Sequence, residues 1–173
     1  MIELNQESLL ERINHLDRDA FLKYDNEGKF HVVLVGGGAL ILMGYIARST
    51  HDLDVIRAAK ELHELFEKYD MNCRVLAHEN SFPYNFEDRL KPLWSGKKID
   101  FYTASLEDIV IAKLCADRPQ DKQDLIAVAP FVDWKALETF ALDENEAKAS
   151  ALNDRNYSDF LYTYSEYKRR FHP

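Results

Sequence analysis

One stretch of the chain, Asp52-Leu53-Asp54-Val55-Ile56, alternates acidic and apolar residues. In a β-strand successive side chains point to opposite faces, so Asp52 and Asp54 share one face while Leu53 and Val55 turn toward a core. Two neighbouring carboxylates oppose each other's ionisation unless a cation lies close to them. Because Mg²⁺ binds carboxylate oxygens together with substrate phosphates, the stretch predicts a metal-binding strand.

A third acidic residue, Asp100, stands between two bulky apolar residues in Ile99-Asp100-Phe101, which also has the pattern of a strand. If this strand neighbours the one at 52–56, Asp100 converges with Asp52 and Asp54. Two divalent ions held about 3.5–4 Å apart can clamp the attacking and leaving oxygens of an in-line displacement. The three acids together therefore predict a catalytic metal site.

Three consecutive glycines, Gly36-Gly37-Gly38, lie between a strand-like run at 31–35 and an apolar, helix-like run at 39–43. Without a Cβ, backbone N–H groups at a helix start can approach a phosphate closely, and the helix dipole favours the anion. The run is neither a P-loop nor a dinucleotide fingerprint, because no Gly-Lys-Ser/Thr follows and the third fingerprint position is Ile41. It predicts a phosphate-binding turn, with a plain flexible turn as the alternative.

Helical periodicity predicts helices at 5–24, with Asn5 or Ser8 as N-cap, and at 58–69. Short strands are expected at 73–76 and within 81–86. After a capping box that begins at Ser105, the pattern is helical over 109–116, 120–129, 132–142, 144–152 and 157–171. We therefore predict an α/β domain over residues 1–104 and a helical C-terminal segment over 105–173 that packs on it.

The composition narrows the class of protein. The chain has 173 residues and a formal net charge of −8, which argues against a broad nucleic-acid-binding surface. No signal peptide and no membrane-spanning apolar run are visible, so a cytoplasmic protein without a membrane partner is expected. Cys73 and Cys115 are expected to be reduced, buried thiols.

The order of these motifs resembles the DNA polymerase beta-type nucleotidyltransferase superfamily. The chain is similar to the abortive-infection toxin nucleotidyltransferases and their small bacterial relatives. Those families share a Gly-Gly-x-Ala-Leu start, matched at 36–40, an Arg-x-Ser/Thr-x-Asp-x-Asp block, matched at 48–54, and a helical Lys-Leu…Ala…Arg…Asp…Asp-Leu motif, matched at 113–125. Gly38 departs from the pattern, because relatives usually have Thr or Ser there.

The resemblance implies a nucleotidyltransferase fold, in which a small mixed sheet with flanking helices is followed by a C-terminal helical segment. It implies an enzyme that uses Mg²⁺ and moves a nucleoside monophosphate from a nucleoside triphosphate such as ATP to a hydroxyl acceptor. The catalytic metal ligands that it implies are Asp52, Asp54 and Asp100. The substrate-binding residues that it implies are Gly36, Gly37, Gly38, Arg48, Lys113, Asp121 and Asp124.

Several alternatives remain open at this point. The acceptor is an RNA 3′ end, a protein side chain or a small molecule, and one expected role is the toxin of a toxin–antitoxin pair with a cognate antitoxin as partner. The rival interpretation is a non-catalytic binding module of the same fold, such as an antitoxin or regulatory partner. Lys113 can instead snorkel from an apolar helix face, and Asp121 and Asp124 can be charges in the first turn of a helix.

Overall fold

The computed structural model describes residues 3–25, 28–73, 81–143, 145 and 154–173, with the backbone only at 154 and 155. Its contacts divide the chain into two units, Met1–Val75 with Leu90–Ala104 and Leu76–Arg89 with Ser105–Pro173. These contacts group residues 81–89 with the second unit, and the predicted division at 104/105 stays a prediction.

The first unit is built on a mixed sheet with the strand order β3-β2-β1-β5-β4 in the described part of the chain. β1 runs antiparallel to β2 and parallel to β5, β2 runs parallel to β3, and β4 runs antiparallel to β5. The elements of this unit are α1 (Gln6–Lys23), β1 (Phe30–Val35), α2 (Gly36–Leu42), β2 (Leu53–Arg57), α3 (His63–Lys68), β3 (Met71–Asn72), β4 (Lys91–Ser95) and β5 (Ile99–Thr103). This is the predicted small mixed sheet with flanking helices.

The core of the first unit lies between the sheet and its helices. Four successive residues of β1, from Val32 to Val35, are buried, as is Leu53 in β2, and α2 contacts both strands. α1 buries Leu9, Ile13 and Leu16 and contacts α2 and α3. Burial of this apolar surface is the main favourable contribution to folding. It also fixes α2 and β2, the two elements that carry the glycine and Asp-x-Asp motifs.

The local signals at the start of the chain are confirmed. The Asn5 side chain accepts a hydrogen bond from the backbone N–H of Ser8 at 3.0 Å, and the Ser8 hydroxyl accepts one from the backbone N–H of Asn5 at 2.9 Å. This reciprocal capping box satisfies two backbone donors at the N-terminus of α1. The helix predicted at 58–69 is shorter, with a 3₁₀ turn at Lys60–Leu62 before α3.

A buried carboxylate ties α1 to the turn between β4 and β5. Asp17 accepts hydrogen bonds from the backbone N–H groups of Lys97, Lys98 and Ile99 at 2.8–2.9 Å. A Cβ on Gly96 would lie 2.3 Å from the Asp17 carboxylate. Asp17 therefore fixes the position at which β5 enters the sheet.

Two of the strand predictions are corrected. β4 was not expected, because Pro92 interrupts its pattern, but proline is tolerated where a strand forms the edge of a sheet. The described residues at 81–86 form turns that lead into a 3₁₀ helix at Phe86–Arg89, not a strand. β3 lies at Met71–Asn72, directly before the strand expected at 73–76; Cys73 is not part of it, and residues 74–76 of this prediction lie outside the described part of the chain.

The second unit is helical, as predicted. Its helices are α4 (Leu106–Ala116), α5 (Pro119–Val128), α6 (Trp134–Leu142) and α7 (Asp154–Phe171), and α4 contacts the other three. Ser105 caps α4 by accepting a hydrogen bond from the N–H of Asp108. The Tyr167 hydroxyl donates to the Leu125 carbonyl at 2.8 Å. The helix predicted at 144–152 lies outside the described residues except for Asn145.

Two further expectations concern the cysteines and the membrane. Cys73 and Cys115 are free and partly buried, and burial raises the pKa of the Cys115 thiol to about 12. None of the described helices combines the length and the apolar character that crossing a bilayer requires.

Candidate functional site

The glycine turn packs directly against the Asp-x-Asp segment. The β1–β2 register places Val35 opposite Asp54, so Gly36 begins α2 beside the acidic strand. A Cβ on Gly36 would lie 2.7 Å from Asp54 Oδ2, and one on Gly38 would lie 2.5 Å from Leu53 Cδ2. Gly36 also has a φ of +74°, a conformation that residues with a Cβ rarely adopt. The close approach of backbone to carboxylate therefore depends on these glycines.

Arg48 lies beside the same turn. A Cβ on Gly37 would be 2.2 Å from Arg48 Nη2, so the guanidinium occupies the space that a side chain at 37 would need. Arg48 Nη1 also donates to the Ser49 carbonyl at 2.9 Å. The structure thus brings together the glycines, the Asp-x-Asp segment and one of the predicted cationic residues.

The two acids of the motif differ in their surroundings. Asp52 comes directly before β2 and is exposed, whereas Asp54 lies within β2 and is partly buried. Asn72 Nδ2 donates a hydrogen bond to Asp54 Oδ1 at 3.1 Å from the neighbouring strand β3. No signal in the sequence marks Asn72, because a two-residue strand has too little periodicity to be recognised.

The expected convergence of three carboxylates is wrong. β1 lies between β2 and β5, and Asp100 is opposite His31, four residues along β1 from Val35. At about 3.3 Å per residue, Asp100 and Asp54 are separated by about 13 Å along the strand direction. Among the described residues, no three His, Cys, Asp or Glu side chains form a group that could hold a metal.

Asp100 has other partners. Its Oδ1 accepts hydrogen bonds from Ser95 Oγ at 2.6 Å and from Lys29 Nζ at 3.0 Å, and these two contacts lower the pKa of Asp100 from its usual value. A metal-binding role for Asp100 beside Asp52 and Asp54 stays a prediction that this geometry does not support.

An irregularity in the β1–β2 ladder brings a cation to the face of the sheet that carries Asp54. Val35 pairs with Asp54, but Val33 pairs with Arg57, so Ile56 is the extra residue on β2. Alternate residues of β1 share a face, and their partners Asp54 and Arg57 therefore share it too. Strict alternation from Asp54 would have placed Arg57 on the opposite face, and no signal in the sequence reveals the bulge.

The remaining predicted residues form a buried ionic cluster in the second unit. Lys113 Nζ donates to Asp121 Oδ1 and to Asp124 Oδ2, each at 2.9 Å, and these three side chains are 6%, 2% and 2% exposed. Arg118 Nε donates to Asp121 Oδ2 at 2.7 Å. Lys113 therefore does not snorkel to solvent, because it is held between two carboxylates. A contact of these residues with a triphosphate stays a prediction.

The pKa of Asp121 reflects this cluster. Burial opposes ionisation of the carboxyl group, but hydrogen bonds from Arg118 and Lys113 outweigh burial and hold the pKa of Asp121 below its usual value. Asp121 therefore contributes stability in its ionised form.

The geometry of the first unit suits a phosphate ligand that brings a divalent cation. The exposed Asp52 and the partly buried Asp54 belong to the segment that packs against the glycine turn, and Arg48 lies beside this turn. Mg²⁺ usually keeps several waters and is bound through one or two carboxylates plus substrate phosphates, so a third carboxylate is not required.

The comparison with protein families agrees with this geometry. A family model described as "Nucleotidyltransferase of unknown function (DUF6036)" matches residues 11–172. No curated protein and no solved structure matches the chain. The mixed sheet, its flanking helices and the following helical segment are consistent with a nucleotidyltransferase fold.

Proposed function

Because the chain belongs to this nucleotidyltransferase family, we propose that it is a Mg²⁺-dependent enzyme that binds a nucleoside triphosphate at the glycine turn and the Asp-x-Asp segment. The observation that carries the proposal is the packing of Gly36 against the Asp54 carboxylate and of Gly37 against the Arg48 guanidinium. This packing puts the glycine turn, the Asp54 carboxylate and a guanidinium side by side, which supports binding of a triphosphate together with its cation.

The donor set fits the metal. Asp52 and Asp54 would hold Mg²⁺, and the metal would neutralise charge on the bound triphosphate. Gly36, Gly37 and Gly38 would offer backbone N–H groups to the phosphates, because a turn of glycines has no side chains of its own to keep an anion away. Arg48 would add a fixed positive charge beside the turn, which favours a phosphate anion.

The proposed reaction is an in-line displacement. The oxygen of the acceptor hydroxyl forms a bond to the α-phosphorus, and the bond from this phosphorus to the bridging oxygen of the β-phosphate breaks. Pyrophosphate leaves with the electron pair, and the hydroxyl proton is released to solvent. The protein contributes positioning and charge, because phosphoryl-type transfer needs little covalent chemistry from side chains.

One feature of the sequence favours the rival interpretation, a non-catalytic binding module, because Gly38 lacks the Thr or Ser side chain that relatives usually have there. Leu53 Cδ2 lies where a side chain at 38 would begin, so glycine here is explained by packing against β2.

Calorimetric titration of ATP, GTP, CTP and UTP, each with Mg²⁺, tests the proposal. We expect the full chain to bind at least one triphosphate and an Asp52→Asn/Asp54→Asn variant to bind it at least about 100-fold more weakly, because the metal ligands are lost. Exposed Asp25→Asn, in the same unit, is the matched control and should bind as the wild type does. Failure of the wild type to bind any triphosphate, or equal binding by the double variant, would contradict the proposal.

The proposal extends to the chemical class of the acceptor and to the biological role of the enzyme. The net charge of −8 favours a protein or a small molecule over RNA as acceptor. If the enzyme is the toxin of a toxin–antitoxin pair, its expression arrests growth and Asp54→Ala abolishes both the arrest and metal-dependent triphosphate turnover. Growth arrest that persists in Asp54→Ala would show that toxicity does not depend on this site.

A further inference from the structure

We infer that Asn72 is a positioning residue of the site: its side-chain amide holds the Asp54 carboxylate in the orientation that metal binding requires. Nothing in the motifs that define the site involves Asn72. The inference rests on the proposed function, because it assigns Asn72 a role toward a metal held by Asp54.

The contact is direct and is built by the sheet. In the parallel pairing of β2 with β3, Asp54 is opposite Asn72, and Nδ2 of the amide donates to Asp54 Oδ1 at 3.1 Å. Paired residues of neighbouring strands point to the same face, so the amide and the carboxylate lie side by side. Each is anchored by its own strand.

Holding one oxygen of a carboxylate also orients the other. With Oδ1 engaged by Asn72, Oδ2 is the oxygen nearest Gly36, where a Cβ would come within 2.7 Å of it. The free rotation of the carboxylate is reduced, and Oδ2 stays beside the turn at which phosphates would approach. An amide does this without adding a positive charge that would compete with a metal cation for the carboxylate.

The strand order gives Asn72 this role. A residue on a strand next to β2 was expected to be the third carboxylate, but β5 is not such a strand and Asp100 is not near. β3 is the outer neighbour of β2, and the residue that it places opposite Asp54 is an amide. The structure thus assigns a neutral hydrogen-bond donor to the position beside the metal-binding pair.

Loss of a hydrogen bond to a metal ligand commonly weakens metal binding by about 10- to 100-fold. For Asn72→Leu, which keeps the approximate shape and removes the donor, we expect Mn²⁺ binding to weaken by at least about tenfold on this scale. Mn²⁺ replaces Mg²⁺ as the probe, because electron paramagnetic resonance counts the free ion directly. Asn14→Leu, the same substitution at an exposed position in α1, should leave Mn²⁺ binding unchanged.

The melting temperature in EDTA separates positioning from folding. A positioning role predicts that Asn72→Leu melts within a few degrees of the wild type without metal and still binds Mn²⁺ weakly. Asn72→Ser, whose hydroxyl is too short to replace the amide, should show the same weakening of Mn²⁺ binding. This variant replaces Asn72→Leu in the test if the leucine variant does not fold. Unchanged Mn²⁺ affinity in both variants overturns the role of Asn72 alone, whereas no Mn²⁺ binding by the wild type overturns the metal site of the proposed function as well.

Discussion

At the scale of single residues, Gly38 shows how packing selects an amino acid within a functional motif. A Cβ on Gly38 would lie 2.5 Å from Leu53 Cδ2 and 3.1 Å from the Asp52 carbonyl oxygen. A side chain here would displace the Leu53 side chain and shift the Asp52 carbonyl oxygen by a few tenths of an ångström. The residue at 38 therefore influences the Asp-x-Asp segment through contact with its backbone and with Leu53.

A double-mutant cycle tests this contact. We expect Gly38→Ala to lower the free energy of unfolding by about 1–3 kcal/mol, the usual cost of overpacking. Leu53→Val removes the methyl group in closest contact, so Gly38→Ala should cost about 1 kcal/mol less in that background, a typical coupling for residues in contact. Urea denaturation of the four proteins measures the cycle. Simple additivity would show that Leu53 is not what excludes a side chain at 38.

At the scale of elements, one buried carboxylate holds a helix and a turn together. Asp17 satisfies three backbone N–H groups of the β4–β5 turn, and its own negative charge is stabilised by those donors. The helix α1 thus positions the start of β5, including Asp100.

Asp17→Ala should be strongly destabilising. It leaves three backbone donors without their acceptor, and at about 1 kcal/mol for each lost hydrogen bond we expect the free energy of unfolding to fall by about 3 kcal/mol or more. Chemical denaturation is the measurement, with exposed Glu11→Ala on the same helix as the control that changes stability by less than about 0.5 kcal/mol. A loss for Asp17→Ala no larger than that of the control would mean that water replaces the carboxylate.

The ionic cluster between α4 and α5 predicts a dependence of stability on pH. The pKa of Asp121 is lowered in the folded chain, so its contribution to stability is present above the pKa of an unfolded aspartate, about 3.9. The contribution is lost as the pH falls through the lower pKa of the folded state. Wild-type stability should therefore fall more between pH 7 and pH 3 than that of Asp121→Asn.

Urea unfolding at both pH values measures this difference. Exposed Asp159→Asn in α7 controls for the general effect of removing one carboxylate from the second unit. If the wild type and Asp121→Asn lose the same stability between pH 7 and pH 3, the cluster does not depend on the ionised form of Asp121.

At the scale of the whole molecule, charge limits the choice of partner. The net charge is −8, and two basic residues in the middle of the chain are engaged in the fold, because Lys98 is buried and Arg89 pairs with Asp108 at 2.8 Å. A polyanion therefore meets a surface with an excess of negative charge. Long-range electrostatics should oppose its binding.

We accordingly expect no binding of a random-sequence RNA duplex at physiological salt, with a dissociation constant above about 10⁻⁴ M, the weak limit of typical non-specific binding. Fluorescence anisotropy at two salt concentrations is the measurement. Binding that is tighter and falls steeply with salt would reveal a basic surface that the net charge hides, and it would return RNA to the candidate acceptors.

The sequence by itself determined the features that depend on neighbouring residues along the chain. The alternation at 53–56, the cap at Asn5, the capping box at Ser105 and the glycine run after a buried strand are all local patterns. Together they indicated a mixed α/β unit followed by helices, and the glycine and Asp-x-Asp motifs resemble those of nucleotidyltransferases. The sequence marked Lys113, Asp121 and Asp124 as candidate site residues but did not predict the ion pairs between them. These pairs depend on how two helices pack against each other.

Only the tertiary structure decided which residues stand beside Asp54. Strand order placed β1 between Asp54 and Asp100, and pairing at the sheet edge brought Asn72 into contact instead. The bulge at Ile56 turned Arg57 to the same face as Asp54. Local periodicity cannot encode these outcomes, because strand pairing and register are set by burial and hydrogen bonding between segments that are distant along the chain.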